Sequence, residues 1–272
     1  MSLFQAIVLA VVQGLTEFLP ISSTAHLILV PWLFGWHDPG LAYDVALHAG
    51  TLVAVVAYFA RDWLAMTRAL LFGSAAEAAR GQRRLLGLII LATVPGALAG
   101  YFLESYAESG FRRPALVAAA LIGVALLMWM ADRRRTLVRK METVGFADAA
   151  LIGLAQAVAI VPGTSRSGIT IAAGLFRNLT RESAARFSFM LATPIIGGAT
   201  LLEGAQMLEQ GLPPGTSVRD FAVGFGVSAL VGYAAIAFLL RYLQVRTLKI
   251  FVAYRLALGA IILLIEFLRS SG

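Results

Sequence analysis

Two short stretches of this chain place residues capable of chemistry where such residues are expensive to keep. The first runs Gln13-Gly14-Leu15-Thr16-Glu17-Phe18-Leu19-Pro20-Ile21-Ser22-Ser23-Thr24-Ala25-His26. Gln13 and Glu17 are four residues apart, hence on one face of a helix. Glu17 is a carboxylate inside an apolar segment, where an ionisable group normally faces a polar interior and marks a functional site. Ser22, Ser23 and Thr24 follow Pro20. At the N-terminus of a returning half-helix they cap it and leave backbone N–H groups free for an anion. His26 lies three residues after Ser23, a spacing that lets the two meet on one helical face. A hydroxyl beside an imidazole is the minimum for an activated nucleophile. Alone, that pair reads as capping hydroxyls with a satisfied histidine; Glu17 in the same apolar stretch moves the reading to function.

The second stretch is Pro162-Gly163-Thr164-Ser165-Arg166-Ser167-Gly168-Ile169-Thr170. Gly163, Thr164, Ser165 and Ser167 are small enough for a backbone to close around phosphate oxygens. Arg166 supplies a planar, permanently charged fork that suits phosphate. No Walker-type lysine follows, which excludes a nucleotide P-loop. The competing reading of Arg166 is an arginine snorkelling to the membrane interface, but the Pro-Gly break surrounds it with polar partners. Asp44 and His48, four apart, read either as outer partners of such a site, as metal ligands, or as ordinary polar residues of a boundary helix. Gln156 either hydrogen-bonds in a cavity or bridges helices. His37 with Asp38 reads as loop, and Trp129 and Phe267 read as lipid or interface contacts.

These residues need elements to hold them, and composition says what kind. Of 272 residues, 59% are hydrophobic and 14% charged, against about 25% charged in a soluble domain. Mean hydropathy is +0.82. A soluble fold of this size cannot hide that much apolar surface, so lipid is its solvent. The absence of cysteine excludes disulfides, a thiolate nucleophile and Cys-ligated metal. No cleavable signal peptide is evident. About six stretches approach the ~20 residues needed to span the hydrocarbon core: 41–60, 85–103, 113–131, 184–205, 219–240 and 249–268. The apolar stretches 1–30 and 145–176 are broken near their middles by Pro20 and Pro162-Gly163. Irregular backbone survives at membrane depth only where protein or a water-filled cavity satisfies it, so both read as re-entrant helical hairpins lining a cavity. The fold class is therefore an all-α polytopic membrane protein, one membrane domain over 1–272.

The net charge of +7 reads as cytoplasmic loops rather than nucleic-acid affinity. Arg61, Arg68, Arg80, Arg83 and Arg84 lie in one loop; Arg133, Arg134, Arg135, Arg139 and Lys140 in another. Arg177, Arg181 and Arg186 flank the fourth span, and Arg241, Arg246 and Lys249 lie between the last two. All four clusters fall on one side, the cytoplasm by the positive-inside rule, with both termini on the other. The remaining loops agree in part: 206–218 carries Glu209 and no Lys or Arg, whereas 104–112 and its flank hold Glu104, Arg112 and Arg113. One hairpin plus three spans repeats twice, about 1–131 and 145–268. The odd number of crossings inverts the second copy. Gly14-Leu15-Thr16-Glu17 and Gly153-Leu154-Ala155-Gln156 are matching openings, which makes Gln156 the mate of Glu17. Such repeats place a site near the midplane at their interface. The charge run 132–145 between them reads as a solvated linker and orientation signal only.

Together the two motifs resemble the bacterial undecaprenyl-diphosphate phosphatase family of the bacitracin-resistance type. The first resembles its (Glu/Gln)-x-x-x-Glu followed by Pro-x-Ser-Ser-Thr-x-His, the second its Pro-Gly-x-Ser-Arg-Ser-x-x-Thr. Ala185-Arg186-Phe187-Ser188-Phe189 followed by Thr193-Pro194 is also similar to it, and the resemblance covers nearly the whole chain. It implies removal of the terminal phosphate from undecaprenyl diphosphate in the bacterial cytoplasmic membrane, recycling the lipid carrier for peptidoglycan and conferring bacitracin resistance. It places Glu17, Ser23, His26 and Arg166 in the site, with Gln13, Ser22, Thr24, Ser165, Ser167 and Thr170 around them. Two departures stand out: Gln13 where many members carry Glu, which leaves acid–base duty to Glu17, and Ala25 where Gly is frequent.

The expected chemistry has Arg166 and hairpin N–H groups hold the diphosphate while Ser23 or a water attacks. His26 takes the nucleophile's proton or protonates the leaving oxygen. Glu17 orients His26, or holds a divalent cation, Mg²⁺ or Ca²⁺, against the diphosphate. The expected partners are the polyprenyl diphosphate and membrane lipids, with no nucleic acid; a homodimer stays open. The rival reading is a transporter that flips polyprenyl phosphate through the same inverted-repeat cavity.

Overall fold

The structure is a computed structural model describing residues 1–37, 40–73, 76–109, 113–134, 136–210 and 217–270. Asp38, Arg112, Arg135 and residues 211–216 lie outside it, as does the side chain of Glu104. Among the described residues the chain forms eleven α-helices and a short turn of 3-10 helix at Met141–Thr143. The helices are α1 (Leu3–Phe18), α2 (Ser23–Phe34), α3 (Leu41–Tyr58), α4 (Ala60–Phe72), α5 (Glu77–Ser109), α6 (Pro114–Asp132), α7 (Phe146–Val158), α8 (Arg166–Phe176), α9 (Arg181–Gln210), α10 (Val218–Val245) and α11 (Lys249–Ser270).

Five of these, α5, α6, α9, α10 and α11, are long and apolar enough to cross a membrane; α3 and α4 meet the same measure only together, bent by 72° at their junction. This is an all-α polytopic membrane protein. The expected span at 41–60 is α3, but residues 61–84 are more than a loop. They hold α4 and the first turns of α5. α4 is amphipathic: Met66 and Ala69 are buried on one side while Arg61, Arg68 and Leu70 face out. A helix that pairs charge with a narrow apolar stripe suits the interface plane better than the hydrocarbon core.

Both interrupted segments are pairs of short helices packed on each other, α1 with α2 and α7 with α8. α1 has 16 residues and α8 only 11, about 24 and 16 Å of helix. Neither reaches across the ~30 Å hydrocarbon core. α1 opens on a reciprocal capping box between Ser2 and Gln5 and ends in extended backbone at Leu19, as the residue before a proline prefers. The second helix of each pair starts alike. Ser22 (φ 79°, ψ 98°) caps α2, its hydroxyl accepting from the Ala25 N–H. Ser165 (φ 66°, ψ 108°) caps α8, accepting from the Gly168 N–H.

α1 packs on α10, α7 on α5, α3 on α9 and α10, and α6 on α11. Glycine makes the first two approaches feasible: a Cβ at Gly14 would lie 2.7 Å from Val231 Cβ, and one at Gly153 2.6 Å from the Ala92 carbonyl oxygen. Small residues at such crossings replace the hydrophobic driving force that lipid cannot supply. Beneath the hairpin breaks the core is aromatic, with Phe18 and Phe189 edge to face at 5.3 Å.

The basic end is closed by carboxylates, and here residues 132–145 do more than mark orientation. Asp148, at the start of α7, accepts from Arg139 (2.7 Å to Oδ2), from Arg177 Nε (2.6 Å) and from the Gly145 N–H (2.8 Å). Arg139 also exchanges backbone bonds with Asn178 and Thr180, and Asp132 accepts from Arg181 and from the Leu248 N–H. The linker therefore ties α7 to the end of α8. Burial pushes the Asp148 carboxyl up, but the bonds from Arg139, Arg177 and Gly145 outweigh it and hold the group well below the usual carboxylate range. A carboxyl depressed in the folded state stabilises fully above its unfolded pKa of about 3.9 and loses that stabilisation as pH falls toward its folded value. In detergent, wild-type melting temperature should therefore drop steeply below about pH 4. Asp148→Asn should melt lower at pH 7 and lose less on acidification; parallel pH profiles would contradict the assignment.

Candidate active site

The two breaks meet at Glu17. Its Oε1 accepts from Arg166 Nη2 at 2.9 Å, across the interface of the two hairpins. Its Oε2 accepts from the Ser23 hydroxyl at 2.8 Å and from Gln13 Nε2 at 3.1 Å, and His48 Nε2 lies 3.5 Å from it. The Glu17 and Arg166 side chains are only 5% and 12% exposed. A carboxylate and a guanidinium so far from water are tolerable only because each neutralises the other and further donors fill the carboxylate's lone pairs. The snorkelling alternative for Arg166 is therefore set aside: its fork turns inward, and Nη1 donates to the Ser188 carbonyl.

The surrounding hydroxyls fix this centre. Ser167 donates to the Leu19 carbonyl of the other hairpin. Thr170 donates back to the Arg166 carbonyl at 2.7 Å and pairs with the Ser188 hydroxyl at 2.6 Å. Ser165 Oγ, besides capping α8, lies 3.3 Å from Ser167 Oγ. Gly163 has φ +91°, and a Cβ there would meet the Val117 carbonyl oxygen at 2.4 Å, so a side chain at this turn is excluded twice over. Thr24, Ser22, Ser23, Gly163, Ser165 and Arg166 line one cavity of about 340 Å³ together with Glu17, His48 and Gln156. A larger cavity of about 650 Å³ lies at the basic end beside Asp62, Lys140 and Arg186. There Asp62 is already paired with Arg186.

The expected meeting of His26 with Ser23 does not occur. Ser23 is the first residue of α2, and its hydroxyl turns back across the break to Glu17. His26 donates from Nδ1 to the Ser22 carbonyl at 2.7 Å, accepts at Nε2 from the Tyr254 hydroxyl at 2.6 Å, and stacks on that ring. The imidazole beside Glu17 is His48, whose Nδ1 donates to the Asp44 carbonyl and so aims Nε2 at the carboxylate. Asp44 takes part through its backbone. Gln156 reaches the Ala92 carbonyl at 3.4 Å, and its Oε1 has no hydrogen-bond partner. Among the described residues no three His, Cys, Asp or Glu side chains converge to hold a metal ion, and Arg166, Ser23 and Gln13 occupy the oxygens of Glu17.

Arg255 went unrecognised in the sequence. It is fully buried in α11 and donates to five carbonyls: Ala120 and Leu121 of α6, Pro20 of the first break, and Gly163 and Thr164 of the second. The breaks free the Pro20, Gly163 and Thr164 oxygens from helical partners, and one guanidinium collects them and joins them to α6. Its signal was present, since a charge in the interior of the apolar span 249–268 carries the same cost as Glu17.

Residues 6–261 match the sequence model of a family described as bacitracin resistance protein BacA. The chain belongs to the bacitracin resistance protein BacA family. Relatives agree over full length. A protein of Pelotomaculum thermopropionicum named undecaprenyl-diphosphatase is 47% identical over 274 residues, covering 100% of both chains. One of Desulforudis audaxviator with the same name is 48% identical over 99% of this chain and 100% of its own. An undecaprenyl-diphosphatase 2 of Stutzerimonas stutzeri is 46% identical over 97% and 98%. In this BacA chain Arg255→Ala should cost several kcal/mol, since each buried carbonyl left without a donor costs about 1–3 kcal/mol. Arg255→Lys should recover only part, because an ammonium has three donors and no fork. Thermal melting in detergent checks both; an unshifted Arg255→Ala melt would contradict the role.

Proposed function

We propose that this chain hydrolyses undecaprenyl diphosphate to undecaprenyl phosphate and inorganic phosphate, with Ser23 as nucleophile and Glu17 as its base. The observation that carries this reading is the Ser23 hydroxyl 2.8 Å from Glu17 Oε2, on the carboxylate whose other oxygen meets Arg166. The names of the full-length relatives support the substrate.

The diphosphate competes with Glu17 for Arg166. When the guanidinium fork turns to the terminal phosphate, Glu17 is left facing Ser23 without its counterion. Ser23 Oγ then attacks the terminal phosphorus and its proton passes to Glu17. The anhydride P–O bond breaks, undecaprenyl phosphate departs, and charge on the transferring group is held by Arg166. The proton leaves Glu17 through His48 to the departing phosphate oxygen, and Glu17, ionised again, deprotonates the water that hydrolyses the phosphoserine and releases phosphate. His48 Nε2 stands where it exchanges protons with Glu17 and the phosphate oxygens. His26 acts from behind, through the Ser22 carbonyl that shapes the turn presenting Ser23. The Glu17 Oε1 that Arg166 leaves would serve as one ligand to a divalent cation carried in on the diphosphate; no step above depends on it.

We also read 1–131 and 145–268 as an inverted repeat. The support is the matching pair Ser22 and Ser165, both at positive φ and both capping a second half-helix, and the crossed packing of α1 on α10 and α7 on α5. Taking the basic end as cytoplasmic by the positive-inside rule, we infer that both termini and the cavity's Gly100 and Ala199 wall, far along α5 and α9 from that end, lie toward the opposite face and that dephosphorylation occurs on that side. The flippase alternative is less favoured, because translocation needs no hydroxyl bonded to a carboxylate.

Purified wild type should release phosphate from undecaprenyl diphosphate in detergent and yield phospho-Ser23 on acid quench. Arg166→Ala should lower kcat/KM about a hundredfold or more, with poor rescue by Arg166→Lys, which lacks the bidentate fork. Full activity in Ser23→Ala would contradict the nucleophile assignment, and lipid translocation in vesicles without phosphate release would favour the carrier.

A further inference from the structure

The cavity that holds Glu17 and Arg166 has a second, apolar half. Its wall is Gly96 and Gly100 of α5 and Ile195, Ile196 and Ala199 of α9. Ala199 is exposed, and a Cβ on Gly100 would meet no atom within 4 Å, so this flank opens sideways between the two helices. Gln156 stands in the same lining. It is 4% exposed, and its Oε1 accepts no hydrogen bond. A buried amide oxygen left without a donor in a cavity wall is a costly arrangement unless a ligand or water completes it.

We infer that this wall binds the first isoprene units of the substrate, while the rest of the chain runs out between α5 and α9 into the bilayer. The inference rests on the phosphatase reading above and adds to it where the lipid lies. Three observations carry it. The apolar wall is continuous with the polar cradle in one cavity, and a prenyl diphosphate joins its first isoprene unit directly to the diphosphate. The cavity, about 340 Å³, sits at the small end of ligand pockets, so it encloses a headgroup and the start of a chain but not a long chain entire. The wall is open at Gly100 and Ala199, and both lie within helices long and apolar enough to cross a membrane, so a chain leaving between them meets lipid. A soluble phosphate ester would need neither the apolar wall nor the lateral opening.

The test compares hydrolysis of methyl, farnesyl and undecaprenyl diphosphate by wild type, Gly100→Phe, Ala199→Leu and a lipid-facing control, Val53→Phe. In wild type, kcat/KM should rise from methyl to farnesyl diphosphate and change little from farnesyl to undecaprenyl. In Gly100→Phe the farnesyl-to-methyl ratio of kcat/KM should fall about tenfold or more, the scale on which a filled apolar pocket discriminates. Ala199→Leu, at an exposed position, should move it the same way and carries the test if Gly100→Phe does not fold. Val53→Phe should leave the ratio unchanged. An unchanged ratio in Gly100→Phe and Ala199→Leu, or an equal fall in Val53→Phe, overturns the inference while leaving the phosphatase reading intact. Failure of wild type to hydrolyse any of the three overturns that reading and the inference with it.

Discussion

One buried ion pair organises this protein. Glu17 and Arg166 stand 149 residues apart in sequence and 2.9 Å apart in space, in a chain whose surroundings are apolar. Neither charge is tolerable there alone: removing one partner of a buried pair typically costs about 3–5 kcal/mol, because the other is left uncompensated. The pair therefore locks the first hairpin to the second. A continuous span at either place would carry its charge on a helix flank with all backbone groups satisfied. The breaks at Pro20 and Pro162 instead bring half-helix starts, and the hydroxyls of Ser22, Ser23 and Ser165, to the same depth as the charges.

Breaking two helices inside a membrane frees backbone oxygens that lipid cannot solvate. Arg255 answers for three of them and joins them to α6, so α11 is the peg on which both hairpins hang. Asp148 does comparable work at the charged end, where water is near, by drawing the linker and the ends of the second hairpin together. The site thus sits between two arginine-based clamps, with hydroxyls in place of apolar packing. This leaves Ser23 and Glu17 held together, with Arg166 beside them, before any ligand arrives.

Much of this was legible in the sequence, for a physical reason. Charge and proline are costly in apolar helices, so Glu17, Arg166, Pro20 and Pro162 identify the hairpins and their convergence without coordinates. The same reasoning applied to Arg255 would have found it, but that residue lies in a span with no break to draw attention. The partner of Ser23 was not legible. Spacing by three put His26 on its helix face, but a side chain at a helix start can turn backward across the break, and Tyr254, which holds His26, is 228 positions away. His48 was one of several polar residues near a helix start, and only the packing of α3 against the hairpin separates it from Asp44. The amphipathic α4 was hidden by its arginines, which read as a loop when counted for topology. The role of Arg139 was hidden in the same way.

The most direct test of the account is a double-mutant cycle on kcat/KM for undecaprenyl diphosphate, using Glu17→Gln, Arg166→Gln and the double variant. If the two side chains form one catalytic unit across the hairpins, their effects are strongly non-additive, the double variant being little worse than the poorer single one. Effects that simply add would show that the carboxylate and the guanidinium act independently, and the buried pair would lose its central place.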